Sequence, residues 1–290
     1  MKRAILKSMK RTYKIVAALT LAIFIVSAFS MHAHSTKSQP VAVKKQVYIA
    51  LGDSVAAGYG LTADPNDITD CGRGNSAYPN VVARKLNLKL QWRACSGATT
   101  SEGILGAQPL DDTQLKPQVS NLPATPPKLI SITIGANDIH WTDIIGRCYS
   151  DVCGTAADTT AVEQFRSTLD LNLRTVLDAI QTRYDRYEPR VVVTGYYQVF
   201  PATDVPGCTE LTNVTTDERS WWRDQENELN QSIQLAVQDY SFVRFVPVNF
   251  DGHELCATDS WIQDATSAGA FHPTGDGQAA IAKAVLGAAN

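Results

Sequence analysis

Four short segments, spread along most of the chain, carry groups that could do chemistry together: Gly52-Asp53-Ser54, Ser96-Gly97-Ala98, Gly135-Ala136-Asn137-Asp138 and Phe271-His272-Pro273. Ser54 offers a hydroxyl, which becomes a nucleophile only when a base accepts its proton. His272 is the candidate base. Gly97 can present a backbone N–H with no side chain in the way, and Asn137 can present a side-chain amide. Fixed donors of these two kinds stabilise the negative oxygen of a tetrahedral intermediate. Each segment also has an ordinary reading. Gly-Asp-Ser is a plain strand-to-helix turn with Asp or Ser as N-cap, and Gly and Asn are common turn residues. The remaining histidines compete poorly: His32 and His34 fall in the N-terminal segment, His140 belongs to the Asn137 loop, and His253 sits beside Cys256.

What must bring such distant segments together is the pattern of elements between them. Five apolar, β-branched runs read as strands: Gln46–Leu51, Leu88–Arg93, Leu129–Ile134, Arg190–Gly195 and Val243–Val248. Short continuous apolar runs suit strands buried on both faces. Helical spacing appears over Ala77–Leu86, over Val162–Tyr184 (Phe165, Leu169, Leu173, Val176, Leu177 and Ile180 on one stripe), over Glu218–Tyr240 and over Gly277–Ala288. Leu110–Lys128 and Gly146–Thr160 read as loops. Strands alternating with helices predict an α/β fold, a parallel sheet covered on both sides. In such a sheet, ligands meet the chain beyond the carboxyl ends of the strands. The four segments all follow strands or a late loop on that rim, and together they are the parts of a serine hydrolase.

Composition narrows the classes further. The chain has 290 residues, 44% hydrophobic and 19% charged, with a formal net charge of -3. That is an ordinary globular composition, unlike that of a disordered chain. Six basic residues and no acids fall within the first fourteen, so the remainder carries about -9. An acidic body argues against nucleic acid as a partner. Residues 15–31 are apolar and uncharged, and small residues stand at and just beyond their end (Ala28, Ser30, Ala33). A basic stretch, an apolar stretch and small residues form the order of a secretory signal. The expected layout is a signal peptide over 1–33, cleaved somewhere within 28–33, a polar tether over 34–44 and one domain over 45–290. The competing reading is an uncleaved membrane anchor, the one membrane contact anticipated. Six cysteines lie beyond this segment. An even count in an exported chain suggests three disulfides out of fifteen possible pairings, and local closure favours Cys71–Cys95, Cys148–Cys153 and Cys208–Cys256. No Cys or His spacing suits a metal, and no cofactor is called for.

The strings YIALGDSVAAGYG, ITIGANDI and FHPTGDGQ, with Gly97 between them, resemble the blocks of the GDSL, or SGNH, hydrolase family. The cysteine spacings and VVVTGYYQVFP are most similar to its secreted, disulfide-bearing lipases and esterases of actinobacterial type. The resemblance implies a three-layer α/β/α, flavodoxin-like fold with a five-stranded parallel sheet in the order 2-1-3-4-5, and the same disulfide pairing. It implies Ser54 as nucleophile, His272 as base, and Ser54 N–H, Gly97 and Asn137 as oxyanion donors. One position departs from the pattern. Most relatives place an Asp three residues before the His, and here that residue is Gly269. The ring's second nitrogen needs an acceptor, and the Gly269 backbone carbonyl is expected to serve, giving a Ser-His dyad. Asp264 and Asp276 are the alternatives, with Asp259 more distant. The implied activity is hydrolysis of small or lipid acyl esters through an acyl-serine, by a secreted monomer. Trp141, Tyr196, Tyr197 and Phe200 are candidates to line an acyl pocket, with core packing as the competing reading. A carbohydrate O-deacetylase on the same scaffold and a non-catalytic wall- or glycan-binding protein are the competing functions.

Overall fold

Strand β1 (Val47–Gly52) is the hub of the molecule: it pairs in parallel with β2 (Lys89–Trp92) on one side and β5 (Leu129–Thr133) on the other. The computed structural model describes residues 45–67, 69–110 and 113–289. Beyond β5 the sheet continues in parallel through β6 (Arg190–Thr194) and β7 (Val243–Val246). The register is regular, with Ile49 opposite Gln91 on one side and Ile130 on the other. The order is β2-β1-β5-β6-β7. Two three-residue strands, β3 (Gln108–Leu110) and β4 (Thr113–Leu115), form a separate antiparallel pair. Left out of the count, they leave the order 2-1-3-4-5. β4 falls inside the stretch expected to be a loop. Its strands are too short, and too broken by Pro109, to show a period-2 pattern.

β5 is buried along its whole length, as a strand sandwiched between helix layers must be. Helix α1 (Ser54–Ala57) leaves β1 directly, and α2 (Tyr78–Lys85) packs against the last helix, α6 (Gly275–Ala288). The long helices α4 (Ala156–Arg183) and α5 (Thr216–Val237) pack against each other as a second pair. On α4, Val162, Leu169, Leu173, Val176, Leu177 and Ile180 are buried. Each such side chain contributes roughly 1.5–3 kcal/mol by leaving water. Both helices start earlier than their apolar stripes because each opens on a reciprocal cap, Thr155 with Asp158 and Thr215 with Glu218, a signature visible in sequence. The expected loop over Gly146–Thr160 also contains the end of a helix, α3 (Trp141–Ser150). Gly146 in its interior and its polar run mask its periodicity.

Disulfides join Cys71 to Cys95, Cys148 to Cys153 and Cys208 to Cys256. Inside the sheet, hydroxyls form a ladder across neighbouring elements. Tyr48 bonds Ser131 (2.7 Å), Ser131 meets Tyr78 (3.3 Å), Tyr78 bonds Thr133 (2.9 Å), and Thr133 bonds Thr194 (2.7 Å). All five residues are fully buried, so each hydroxyl satisfies another that has no access to water. Lys45–Asn290 forms one compact unit. The expected signal peptide (1–33) and tether (34–44) lie outside the described residues. No helix among the described residues is long and apolar enough to cross a membrane.

Candidate active site

The turn that presents Ser54 is built by side chains from elsewhere in the chain. Gly52 ends β1 at φ +137°, and a Cβ there would run into the Thr133 carbonyl oxygen. Only glycine fits such a close backbone approach. The Gln118 side chain clamps this residue from both sides, accepting from Gly52 N–H (2.8 Å) and donating to Gly52 O (2.9 Å). Asp53 then caps α1, its carboxylate accepting from Val55 N–H (2.9 Å) and from the Tyr196 hydroxyl. Asp53 is fully buried. Burial pushes its carboxyl up to about 7, against the hydrogen bonds from Tyr196 and Val55 that favour the charged form. Ser54 opens α1, a helix of four residues that Gly58 closes at φ 75°. So short a helix has little dipole, and any anion at Ser54 must rely on individual donors.

His272 comes from the loop before α6. Its Nε2 lies 2.8 Å from Ser54 Oγ, and its Nδ1 lies 3.0 Å from the Ala270 carbonyl. A carbonyl can only accept, so the proton sits on Nδ1 and Nε2 is free to take one. The expected acceptor, the Gly269 carbonyl, is displaced by one residue. That oxygen is occupied by the turn itself, accepting from the His272 backbone N–H (2.9 Å). Neither alternative carboxylate reaches the ring: Asp264 is exposed and bonded to Thr266 (2.9 and 2.7 Å), and Asp276 is exposed in the first turn of α6. Burial holds the His272 pKa below the ordinary histidine value, opposed by the nearby carbonyls of Ala270 and Gly269.

The structure also explains why no aspartate stands at position 269. A Cβ there would sit 2.6 Å from Gly60 Cα and 2.7 Å from Gln263 Cδ. The His272 loop is pressed against the loop that leaves the nucleophile helix, and Gln263 locks the two. Its Nε2 donates to Tyr59 O (3.0 Å) and Pro273 O (3.1 Å). Its backbone N–H donates to His272 O (2.8 Å), and its carbonyl accepts from Phe271 N–H (3.0 Å).

Gly97 and Asn137 face each other across the rim. Gly97 is exposed at φ +78°, and Asn137 Nδ2 donates to Ala98 O (2.9 Å), so the amide already points to the Gly97 loop. The neighbouring Asp138 staples the two loops, its carboxylate accepting from Thr100 N–H (3.0 and 3.1 Å) and from the Thr100 hydroxyl. Among the described residues, the backbone N–H groups of Ser54 and Gly97 have no protein acceptor. A polarisable hydroxyl, a neutral base and unspent donors thus share one surface.

Sequence reasoning missed the residues that hold this arrangement from a distance. Gln118 and Gln263 lie in stretches with no local signal, and Tyr59 is revealed only by the fold. The residue is 37% exposed, its ring centroid 5.2 Å from that of His272. The aromatic expectation needs correction. Tyr196, Tyr197 and Phe200 are buried in the core, where Tyr196 serves Asp53 and Tyr197 donates to Phe271 O (2.9 Å). Only Trp141 of that group is half-exposed, and it packs edge-on against Trp222 with centroids 4.4 Å apart.

Known proteins share this fold. Lipase of Streptomyces rimosus is 27% identical over 269 residues, which is 90% of this chain and 93% of that one. Lipase 1 of Streptomyces coelicolor is 28% identical over 277 residues, 92% of this chain and 95% of that one. The crystal structure of the extracellular lipase from S. rimosus superposes with a TM-score of 0.69 at 28% identity, covering 84% of this chain and all of that one. Phospholipase A1 from Streptomyces albidoflavus superposes with a TM-score of 0.70 at 27% identity, covering 85% of this chain and all of that one. Residues 50–280, which contain every segment of the rim, match the model of the GDSL-like lipase/acylhydrolase family. The chain belongs to that family, and it is a hydrolase of carboxylic ester bonds.

Proposed function

We propose that this protein is a secreted, monomeric serine lipase or esterase that works through a Ser54–His272 dyad. The observation that carries the reading is the pair of contacts on one ring: Nε2 at 2.8 Å from Ser54 Oγ and Nδ1 at 3.0 Å from the Ala270 carbonyl. His272 takes the Ser54 proton as Oγ attacks the ester carbonyl. The N–H groups of Ser54 and Gly97 and the Asn137 amide receive the oxyanion. The tetrahedral intermediate collapses as His272 returns the proton to the leaving alcohol. Water, activated by the same imidazole, then releases the acid from the acyl-serine. The Ala270 carbonyl holds the ring and stabilises the imidazolium by its dipole, in the place where a triad has a carboxylate.

Relatives described as lipases and as a phospholipase A1 put acylglycerols and phospholipids first among substrates to try. Secretion is supported by the N-terminal charge and apolar pattern, by three disulfides and by the extracellular lipase among the relatives. The test is hydrolysis of p-nitrophenyl esters of increasing chain length by the purified protein beside Ser54→Ala. Wild type should hydrolyse them with a chain-length preference, and intact mass should show an acyl adduct that Ser54→Ala lacks. Equal activity in both proteins would discard the mechanism.

A further inference from the structure

A cavity of about 350 Å³ opens beside the Cys71–Cys95 bridge and gathers three cationic side chains, Arg73, Arg93 and Lys116. This is notable in a chain whose acids outnumber its bases beyond the first fourteen residues. Asp67 compensates Arg73 (3.4 Å). Arg93 is held differently: its guanidinium donates to the carbonyls of Gln118 (2.8 Å), Ser120 (2.6 Å) and Asn121 (3.1 Å) and to the Gln91 side-chain oxygen (3.5 Å). Carbonyls fix the direction of a guanidinium but leave its charge standing. Among the described residues no carboxylate pairs with Arg93 or with Lys116. Half-burial lowers the Arg93 pKa, as expected for a charge that has lost water without gaining a counter-ion. Lys116 is exposed, free to reach an anion with its mobile ammonium.

We propose that this cavity binds a phosphate-type oxyanion, either free or carried on a lipid headgroup. The cations come from three separate stretches of chain, which suits a tetrahedral group with oxygens pointing several ways better than a planar carboxylate. Neutral polar side chains, with the bridge, Leu115 and Pro117 between them, make up much of the rest of the lining, Gln108 and Gln118 among them. Two of them also support the catalytic rim: Gln108 donates to Ser96 O (2.7 Å), next to Gly97, and Gln118 holds Gly52. The bound anion therefore sits one side chain away from the oxyanion loop. The site does not depend on Ser54 acting as nucleophile.

Calorimetric titration of the folded protein with inorganic phosphate, against chloride at equal ionic strength, tests the site. Saturable binding is expected for phosphate alone. Lys116→Glu should weaken it at least tenfold, and Lys116→Arg should keep it. Unchanged ester hydrolysis in both variants serves as the check on folding. Dihexanoyl phosphatidic acid, used below its micelle concentration, separates the two sources. Affinity at least tenfold above that of inorganic phosphate, with the gain lost in Lys116→Glu, identifies a headgroup. Affinity no better than that of inorganic phosphate identifies a free phosphate. Phosphate binding no stronger than chloride, or equal in wild type and Lys116→Glu, overturns the proposal.

Discussion

Replacing Gly269 by Asp would install the residue that the family pattern calls for, and the structure predicts a loss. The new Cβ would press on Gly60 Cα at 2.6 Å and on a Gln263 side chain already committed to Tyr59 O and Pro273 O. Backbone stands on one side and an anchored amide on the other, so the loop has to move. Overpacking of this kind costs about 1–3 kcal/mol. Taking roughly 2 kcal/mol for a domain of this size, Tm should fall by about 4–8 °C. The same shift carries His272 away from Ser54. Misplacing a catalytic group by about 1 Å can cost on the order of 100-fold in rate. The expected result is a kcat/KM for p-nitrophenyl butyrate about 100-fold below wild type, together with the lower Tm from differential scanning calorimetry. A Gly269→Asp enzyme as active and as stable as wild type, or more so, would mean that the carboxylate finds the imidazole without disturbing the loop. The account of the dyad given above would then be wrong.

Other perturbations read other parts of the site. Gln263→Glu keeps the size but removes both donations; two carbonyls facing a carboxylate should lower kcat roughly tenfold, from a penalty of about 1–3 kcal/mol, with KM little changed. His272 must be neutral to act as base, and burial lowers its pKa, so the acid limb of the kcat/KM profile should lie below the ordinary histidine value of about 6.5. A limb at or above that value in a rate–pH titration would contradict the burial reading. For Asp53 the folded carboxyl titrates near 7 and the unfolded one near 3.9. Between those values the folded state holds the extra proton, so this group's contribution to stability falls as pH rises from about 4 to about 7. Asp53→Asn should flatten that part of a Tm–pH curve. Opening the Cys71–Cys95 bridge, which spans 24 residues, by replacing both cysteines with serine should cost about 3 kcal/mol on loop entropy, measured by urea denaturation.

Much of this was legible in the residues, for identifiable reasons. Strands such as LISIT and RVVVT announce themselves because burial on both faces demands unbroken apolar, β-branched runs. The chemistry-bearing segments are readable because each sits at the exit of a strand or just before the last helix, where this kind of sheet assembles its ligands. Short elements were not readable. Nothing local distinguishes the β3–β4 pair from a loop, and Gly146 conceals α3. At position 269 the sequence shows that the aspartate is missing but not that Gly60 takes up its space, since the two are brought together only by the fold. The carbonyl that holds His272 shifted from 269 to 270 for a similar reason: which oxygen a turn consumes is decided by its geometry. Gln118, Gln263 and Asp138 act on residues in other segments, and no periodicity encodes such pairings.

The hydroxyl ladder from Tyr48 to Thr194 has a consequence for how this sheet can diverge over generations. Each rung donates or accepts on behalf of its neighbours in a region sealed from solvent. A lone exchange, such as Thr133→Val, strands the Thr194 hydroxyl and leaves Tyr78 with only its longer contact to Ser131. Replacing both partners of a bond by apolar groups of like shape is nearly neutral. Substitution along this line should therefore travel in compensated steps, and descendants should carry the ladder either whole or dismantled in matched pairs.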